Sequence, residues 1–170
     1  MRLRFRDAGA DDIAVIAGLQ NAAAGALTAR FGAGHWSSLT TERAAELSLR
    51  HGRVRLGIAG RQVVTVLRLA TKKPWAIDVS YFTPVPRPLY LTGMAVSAAH
   101  QRQGLGRQAL EDARAVAVAW PADAIRLDAY DAEAGAGDFY VRCGFTERGR
   151  VVYRDDPLVY YELLLPAAGV

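Results

Sequence analysis

Cysteine is nearly absent from this sequence, because Cys143 is the single one among 170 residues. One cysteine cannot form an intramolecular disulfide, and it also excludes a zinc site built from clustered cysteines. The histidines, His35, His51 and His100, show no spacing typical of metal ligands. We therefore expect neither a disulfide framework nor a bound metal.

Long hydrophobic runs and dense basic blocks are missing as well. No stretch approaches the roughly 18 consecutive apolar residues of a membrane span, and the charged start, residues 1–7, is not typical of a signal peptide. We expect a cytoplasmic protein without a membrane partner. The net charge of +4 favours an anionic ligand, but scattered basic residues do not predict a nucleic-acid partner.

The composition is that of a globular domain. Apolar residues make up 51% of the chain and charged residues 22%, which excludes intrinsic disorder. A length of 170 residues is sufficient for one hydrophobic core. No repeat or linker interrupts the sequence, so we predict one domain over residues 1–170.

Hydrophobic periodicity predicts the element order β-α-α-β-β-β-α-β-α-β-β. Alternating residues predict a first strand around Leu3–Phe5, and two Val-rich strands joined at Gly60–Arg61 predict a hairpin. Residues 71–88 contain four prolines and are predicted to be irregular. Later helices are predicted over Gly104–Trp120 and Asp131–Cys143. This order is typical of an α/β domain with a mixed sheet.

The most informative segment joins a strand to a helix through two glycines. The predicted strand ends at Val96, and Gly104 and Gly106 open the next helix. Glycines at a helix N-terminus let backbone N–H groups approach a ligand closely, and the helix dipole favours negative charge there. A pyrophosphate suits such a site, with Arg102 and Arg107 as counter-charges.

One interpretation of this segment is a dinucleotide-binding fold. Residues 104–109 match G-x-G-x-x-A, and Asp128 follows at a distance suited to binding a ribose. However, seven residues separate Val96 from Gly104, and only 66 residues remain after Gly104. The preceding strands also form a hairpin rather than a parallel pair. These features disfavour the dinucleotide fold.

A second interpretation accounts for more of the chain. The run Gln101-x-x-Gly104-x-Gly106 resembles the Q/R-x-x-G-x-G/A signature of the GNAT superfamily of acyl-CoA N-acyltransferases. Residues 139–145 (FYVRCGF) resemble the family's late FYxxxGF segment. The resemblance implies a single-domain GNAT fold, a mixed, mostly antiparallel twisted sheet of about seven strands flanked by about four helices. It also implies transfer of an acetyl group from acetyl-CoA to a primary amine by direct attack in a ternary complex.

The resemblance also implies a cofactor site made largely of backbone. Groups on the strand at Met94–Val96 would pair with the pantetheine arm, and the amides of the glycine loop would hold the pyrophosphate. The implied acetyl-CoA-binding residues are Met94, Ala95, Val96, Gln101, Arg102, Gln103, Gly104, Leu105, Gly106 and Arg107.

For the proton transfers, the resemblance assigns the general acid and leaves the general base unidentified. Tyr140 matches the family tyrosine that protonates the leaving thiolate. Glu133 stands where the family often has an asparagine that contacts the cofactor. No general base is identified, and the candidates from flanking loops are Asp78, Asp155 and Asp156.

The acceptor is expected to be an amine on a small molecule or a peptide. Its site is predicted where residues 26–41, 71–88 and 151–157 converge, because aromatic walls suit an amine. The candidates for these walls are Trp36, Trp75, Tyr81, Phe82 and Tyr153.

Two expectations concern the molecule as a whole. The alternative to an enzyme is a non-catalytic acyl-CoA-binding or sensor module on the same fold. The late strands of this fold often pair between copies, so a homodimer is one expectation.

Overall fold

The structure is a computed structural model that describes residues 1–167, so residues 168–170 of the predicted domain lie outside it. The strands are β1 (Arg4–Asp7), β2 (Arg53–Ala59), β3 (Gln62–Ala70), β4 (Pro88–Val96), β5 (Ala124–Tyr130), β6 (Thr146–Tyr153) and β7 (Asp156–Leu164). The α-helices within the described residues are α1 (Ile13–Phe31), α2 (Glu42–Arg50), α3 (Leu105–Ala119) and α4 (Gly137–Arg142). The predicted order of strands and helices is confirmed.

The strands form a seven-stranded sheet in the order β1-β2-β3-β4-β5-β7-β6. The β1–β2, β2–β3, β5–β7 and β6–β7 pairs are antiparallel, and β4 pairs with β5 in parallel. A dinucleotide fold requires a mostly parallel sheet. The mixed, mostly antiparallel sheet implied by the resemblance is therefore confirmed, and the dinucleotide interpretation is wrong.

Residue contacts divide the chain into two compact units. The first unit contains residues 1–70 and 92–113, and the second contains residues 71–91 and 114–167 of the described chain. Both β4 and α3 therefore contribute residues to each unit. The prediction of one domain over residues 1–170 stays a prediction.

The core of the first unit forms between α1 and the sheet. Ile16 of α1 packs against Val54 and Leu56 of β2 and Val66 of β3, and all four side chains are buried. Removing such aliphatic side chains from water contributes about 1.5–3 kcal/mol each. The Thr41 side chain caps α2, because it accepts a hydrogen bond from the Ala44 N–H.

The second unit buries aromatic residues and an ion pair. Phe82 and Tyr90 pack with Tyr160 of β7, and the segment 71–88 is irregular as predicted apart from a short 3-10 turn and the start of β4. Buried beside them, the Arg126 guanidinium lies 3.0 Å from the Glu162 carboxylate. A buried charge needs its partner, so this pair ties β5 firmly to β7.

The same ion pair also fixes the irregular segment. The Arg126 guanidinium donates to the Thr83 carbonyl oxygen at 2.5 Å, and the Thr83 N–H donates to the Glu162 carboxylate at 3.2 Å. These bonds join residues far apart in the sequence. The segment 71–88 is consequently held on the sheet without regular secondary structure.

The predicted helix over Asp131–Cys143 is too long. The structure has a turn over residues 131–136, and α4 covers only Gly137–Arg142. A side chain at Gly135 would clash with the Tyr130 carbonyl oxygen, which shows how closely the chain folds back here. Glycines at positions 135 and 137 favour this turn over a continued helix.

No helix in the described range, residues 1–167, combines the length and the apolar character needed to cross a bilayer. The longest, α1, has 19 residues.

Candidate functional site

The loop between β4 and α3 is anchored at both ends within the first unit. The Ser97 N–H donates to the Val64 carbonyl oxygen of β3 at 2.8 Å. Leu105, the first residue of α3, is buried against Leu3 and Val64. Because Leu105 faces the core, any contact it makes with a ligand must come from its backbone.

Two residues of this loop adopt left-handed backbone conformations. Arg102 has φ 60° and Gly104 has φ 76°. The left-handed region costs a residue with a side chain about 1–2 kcal/mol. Strain of this kind is found more often at ligand sites than elsewhere.

The loop and the start of α3 present the predicted residues to solvent. Gln101, Arg102, Gln103, Gly104 and Arg107 are exposed, and the space beside Gly104 is open. The 15 residues of α3 point a helix N-terminus at this loop, and such an end favours an anion. The structure thus brings the predicted residues 101–107 together in a segment suited to a phosphate group.

The end of β4 is shaped by a glycine that the sequence analysis did not single out. Gly93 has φ 61°, and its carbonyl oxygen accepts a 2.8 Å hydrogen bond from the side-chain amide of Gln20 on α1. A methyl group at position 93 would lie 2.8 Å from that amide nitrogen. A glycine inside a strand pattern was the available signal, since it often marks an irregular strand.

The predicted pantetheine-binding stretch follows this glycine directly. The parallel register between β4 and β5 ends at Tyr90↔Arg126, and β4 continues through Met94 and Ala95 to Val96. Ala95 is buried in the core of the first unit, whereas Met94 and Val96 are partly exposed. The role of backbone groups at Met94–Val96 in binding a ligand stays a prediction.

Tyr140 is buried within the second unit. Its ring lies 5.7 Å from the Phe145 ring and 5.9 Å from the Tyr161 ring, measured between centroids. Burial raises the pKa of the Tyr140 phenol, and the negative charges of Asp128 and Cys143 raise it further. The phenol therefore keeps its proton throughout the neutral range.

Asp128 of β5 is the acidic side chain that the structure adds to the site. Burial raises the pKa of this carboxyl group. Burial also raises the pKa values of Tyr130, Tyr140 and Tyr160, and the charge of Asp128 adds to each of these shifts. From its sequence position, Asp128 is expected only as a ribose ligand of the dinucleotide fold. The signal that singles it out is a carboxylate inside a largely apolar strand, which is costly to bury.

The three acids proposed from the sequence as general bases lie in surroundings that differ from that of Asp128. Asp78 is exposed, and hydrogen bonds from Ser80 lower its pKa. Asp155 is exposed in the turn between β6 and β7, where its φ is 68°. Asp156 begins β7 opposite Tyr153. The charge of Asp128 acts on Tyr140, which makes Asp128 a further candidate for the base beside these three acids.

An aromatic-lined cavity of about 420 Å³ opens on the second unit, within the range of small-molecule sites. It is lined by Trp75, Ala76, Ile77, Asp78, Tyr81, Val151, Val152, Tyr153 and Tyr160. Three of the predicted wall residues, Trp75, Tyr81 and Tyr153, are among them. The other two are placed elsewhere: Phe82 is buried in the core, and Trp36 donates its indole N–H to the Gly32 carbonyl oxygen of the first unit.

Glu133 and the histidines take no part in these groups. Glu133 is exposed on the turn before α4. The His100 ring nitrogen Nδ1 lies 3.1 Å from the Ser97 hydroxyl. Across residues 1–167, His, Cys, Asp and Glu side chains form no group of three or more that could hold a metal ion.

Comparison with known proteins finds one matching family model. The model of the Acetyltransferase (GNAT) family matches residues 69–145, which include the glycine loop and Tyr140. No curated protein sequence matches the chain significantly.

Solved structures share the fold at low sequence identity. An N-acetyltransferase from Staphylococcus aureus Mu50 has a TM-score of 0.70 and 17% identity, covering 98% of this chain and 100% of its own. The ribosomal-protein-alanine N-acetyltransferase of Brucella melitensis has a TM-score of 0.73 and 17% identity, covering 96% and 100%. The yncA protein of Salmonella typhimurium, solved with its cofactor acetyl-CoA, has a TM-score of 0.70 and 19% identity, covering 100% and 98%.

The family match over residues 69–145 and the shared fold support the resemblance to the GNAT superfamily that the two sequence motifs indicate. The family match supports acetyl transfer as the general class of activity.

Proposed function

We propose that this protein is an N-acetyltransferase that moves the acetyl group of acetyl-CoA to a primary amine by direct attack in a ternary complex. The observation that carries the proposal is the loop before α3, where Arg102 and Gly104 take left-handed conformations at a helix N-terminus. The shared fold with a structure that contains acetyl-CoA supports the same cofactor.

The loop residues would bind the diphosphate of CoA. Backbone N–H groups between Gln101 and Arg107 donate hydrogen bonds to phosphate oxygens, and Gly104 lets the anion approach because it has no side chain. The guanidinium groups of Arg102 and Arg107 add positive charge. Acetyl-CoA supplies an activated thioester when it is bound.

The end of β4 would orient the reacting group. Backbone groups from Met94 to Val96 pair with the pantetheine amides as a neighbouring strand would, and an N–H there polarises the thioester carbonyl. Gly93 and Gln20 hold this part of β4 in position. The protein thereby supplies orientation and stabilisation of the oxyanion.

Two side chains of the second unit would move the protons. The Asp128 carboxylate accepts a proton from the attacking amine, and the Tyr140 phenol gives its proton to the leaving thiolate. One proton is taken up and one is released, so the products are a neutral amide and a free thiol. A raised pKa suits Asp128 as a base, because it brings the carboxyl group closer to neutral pH.

The acceptor is proposed to be an amine on a small molecule or a peptide. The Brucella melitensis relative is a ribosomal-protein-alanine N-acetyltransferase, and the aromatic-lined cavity suits an amine-bearing ligand. The alternative is a non-catalytic module that binds acyl-CoA through the same loop but does not transfer the acyl group. The raised pKa of Tyr140 favours that alternative, because it makes proton donation to a thiolate harder.

Calorimetric titration with acetyl-CoA tests the cofactor site. Gly104→Ala places a methyl group where the phosphates approach, and we expect at least a tenfold loss of affinity, about 1.4 kcal/mol. Gly60→Ala is the matched control, since Gly60 also has a positive φ (59°) and open space beside it but lies in the β2–β3 hairpin. Equal affinities for the two variants would contradict the proposed loop.

Release of CoA thiol in the presence of amines separates the enzyme from the binding module. We expect Tyr140→Phe to bind acetyl-CoA normally and to lower kcat about 10²–10⁴-fold, because the phenylalanine keeps the ring packing but has no proton to give. Unchanged kcat, with the chemical step rate-limiting, would remove Tyr140 from the mechanism. Tight binding without thiol release for any amine would favour the binding module.

A further inference from the structure

The aromatic-lined cavity combines ring faces with one carboxylate. Trp75, Tyr81 and Tyr153 contribute their rings, and the Trp75 side chain is 83% exposed. An indole left this open on a connecting segment contributes little to the core. Ring faces attract organic cations, with tryptophan the most effective.

Hydrogen bonds from Ser80 fix the carboxylate of Asp78 at the cavity. One of its oxygens, Oδ1, accepts hydrogen bonds from the N–H and the hydroxyl of Ser80, at 2.9 and 2.7 Å. The nearby Lys73 ammonium donates to the carbonyl oxygens of Pro74 and Ile77, and its charge also helps to lower the pKa of Asp78. Asp78 is therefore an ionised acid whose other oxygen, Oδ2, makes no hydrogen bond within residues 1–167.

Part of the cavity wall is fixed by hydrogen bonds and ring packing around Tyr160. The Tyr160 hydroxyl donates to the Ala76 carbonyl oxygen and accepts a 3.1 Å hydrogen bond from the Asp78 N–H. The Tyr81 ring lies edge-on to the Tyr160 ring at 5.5 Å and packs against the bare backbone of Gly149, which leaves no room there for a side chain. A preorganised site loses little conformational entropy when a ligand binds.

A guanidinium group of the protein itself already contacts one of the rings that line the cavity. The Arg154 guanidinium lies 5.3 Å from the centroid of Tyr153. The rim of the cavity thus shows the cation–ring contact that the exposed Trp75 ring offers to a ligand.

The cavity is linked to the proposed chemistry through Tyr160. Tyr160 of β7 is the cross-strand partner of Asp128 of β5, so both side chains lie on one face of the sheet with Cβ atoms roughly 5 Å apart. Asp128 in turn acts electrostatically on Tyr140. All three residues and the cavity belong to the second unit.

The nitrogen bound in the cavity cannot be the one that is acetylated. Contact with Asp78 and the ring faces stabilises a protonated amine, and a protonated amine has no lone pair to attack a thioester. We propose that the cavity binds a permanently or stably cationic group of a small acceptor whose separate primary amine receives the acetyl group. The substrate class is thus a small diamine, polyamine or amino-alkylammonium compound, and this inference rests on the proposed acetyl transfer.

A pair of isosteric acceptors tests the charge when kcat/KM is expressed per concentration of unprotonated primary amine, because a nearby quaternary ammonium lowers the pKa of that amine. (3-Aminopropyl)trimethylammonium and 4,4-dimethylpentan-1-amine carry the same primary amine and differ in one quaternary atom, nitrogen or carbon. We expect kcat/KM for thiol release to be at least about tenfold higher for the cationic compound. Equal values for the two acceptors would overturn the inference and leave the proposed acetyl transfer intact.

Variants of the 170-residue chain test whether the preference for the cation depends on the cavity. Asp78→Asn keeps an oxygen for the Ser80 N–H and removes the charge, and Trp75→Leu removes an exposed ring, so both variants are expected to fold. Each should reduce the preference for the cation about tenfold, while Asp11→Asn, an exposed acid of the first unit, should leave it unchanged. A preference that survives both variants would overturn the inference.

Binding measured by calorimetry distinguishes the two proposals. Tighter binding of the cationic compound, lost in Asp78→Asn, supports the cavity as a cation site whether or not turnover follows. That result without acetylation of either amine would overturn the proposed acetyl transfer and, with it, the cavity's role as an acceptor site.

Discussion

Asp128 carries opposite consequences for stability and for activity. Burial raises its pKa in the folded protein above the ordinary value of 3.8. The folded state therefore binds this proton more tightly than the unfolded state does, and stability falls as the pH rises through the interval above 3.8. A carboxylate kept under these conditions fits a functional role better than a structural one.

We accordingly expect Asp128→Asn to raise the melting temperature at pH 7 and to lower kcat about 10²–10⁴-fold. In the unchanged protein, kcat/KM should fall as the pH drops through the raised pKa of Asp128, and the variant should lose this acidic limb. Differential scanning calorimetry and a pH–rate profile measure the two effects. Asp11→Asn, which removes the same charge from an exposed site, should change neither; a stabilised variant with full activity would exclude Asp128 as the base.

At the scale of elements, the turn between β6 and β7 stores strain. It is a two-residue hairpin between Tyr153 and Asp156 in which Arg154 (φ 49°) and Asp155 (φ 68°) both have positive φ. Two positive φ values define a type I′ turn, which matches the twist of the strands but favours Asn and Gly. Here neither turn residue is asparagine or glycine.

Asp155→Gly should therefore stabilise the protein by about 0.5–1 kcal/mol and raise the melting temperature by roughly 1–4 °C. Asp155→Ala is the control, because it removes the carboxylate but keeps the side-chain carbon that causes the strain. Thermal unfolding of the two variants measures the difference. Equal melting temperatures would show that the charge, not the backbone, governs this position.

The elements differ in how far the sequence predicts them. The hairpin at Gly60–Arg61 and the helix α3 depend on local periodicity and turn residues, and both are confirmed. The prediction of a helix over residues 131–143 was wrong about where the helix starts. The backbone folds back around Gly135, and hydrophobic periodicity does not reveal such a turn. The segment 71–88 was correctly predicted to be irregular. Its path, however, depends on hydrogen bonds to the buried Arg126–Glu162 pair. These residues lie far from the segment in the sequence, so local patterns do not predict the contacts.

The same distinction applies to the site. The glycine loop is one continuous run of sequence, so its motif predicts its place in the fold. Asp128 and the aromatic-lined cavity depend instead on the pairing of β5 with β7 and on the packing of segment 71–88. Three cavity residues were predicted from composition alone, whereas the link from Tyr160 to Asp128 required the register.

For the whole molecule, the excess of positive charge now has a proposed use. The chain carries 21 Lys and Arg residues against 17 Asp and Glu, and many of these are paired, as Arg55 is with Asp112 at 2.8 Å. The exposed guanidinium of Arg102 stands beside the loop proposed to bind the phosphates of CoA.

Binding of acetyl-CoA should therefore weaken with salt. Raising the ionic strength from about 0.02 M to about 0.5 M shortens the screening length from roughly 20 Å to roughly 4 Å, and we expect the Kd for acetyl-CoA to rise about tenfold. Titration in sodium chloride measures the slope, and Arg102→Gln should make it shallower. A Kd that does not change with salt would show that the charge excess plays no part in binding.

The hydroxyl of Tyr160 has a consequence for the order in which the protein matures. It joins β7 to Ala76 and Asp78, residues 84 and 82 positions earlier in the chain. Contacts over such separations form late in folding, because a long loop must close before they contribute. During synthesis from the N-terminus, the glycine loop can leave the ribosome well before β7 does. A nascent chain can thus form the segment proposed to bind the cofactor early, while the cavity proposed to select the acceptor is completed only when β7 has been added.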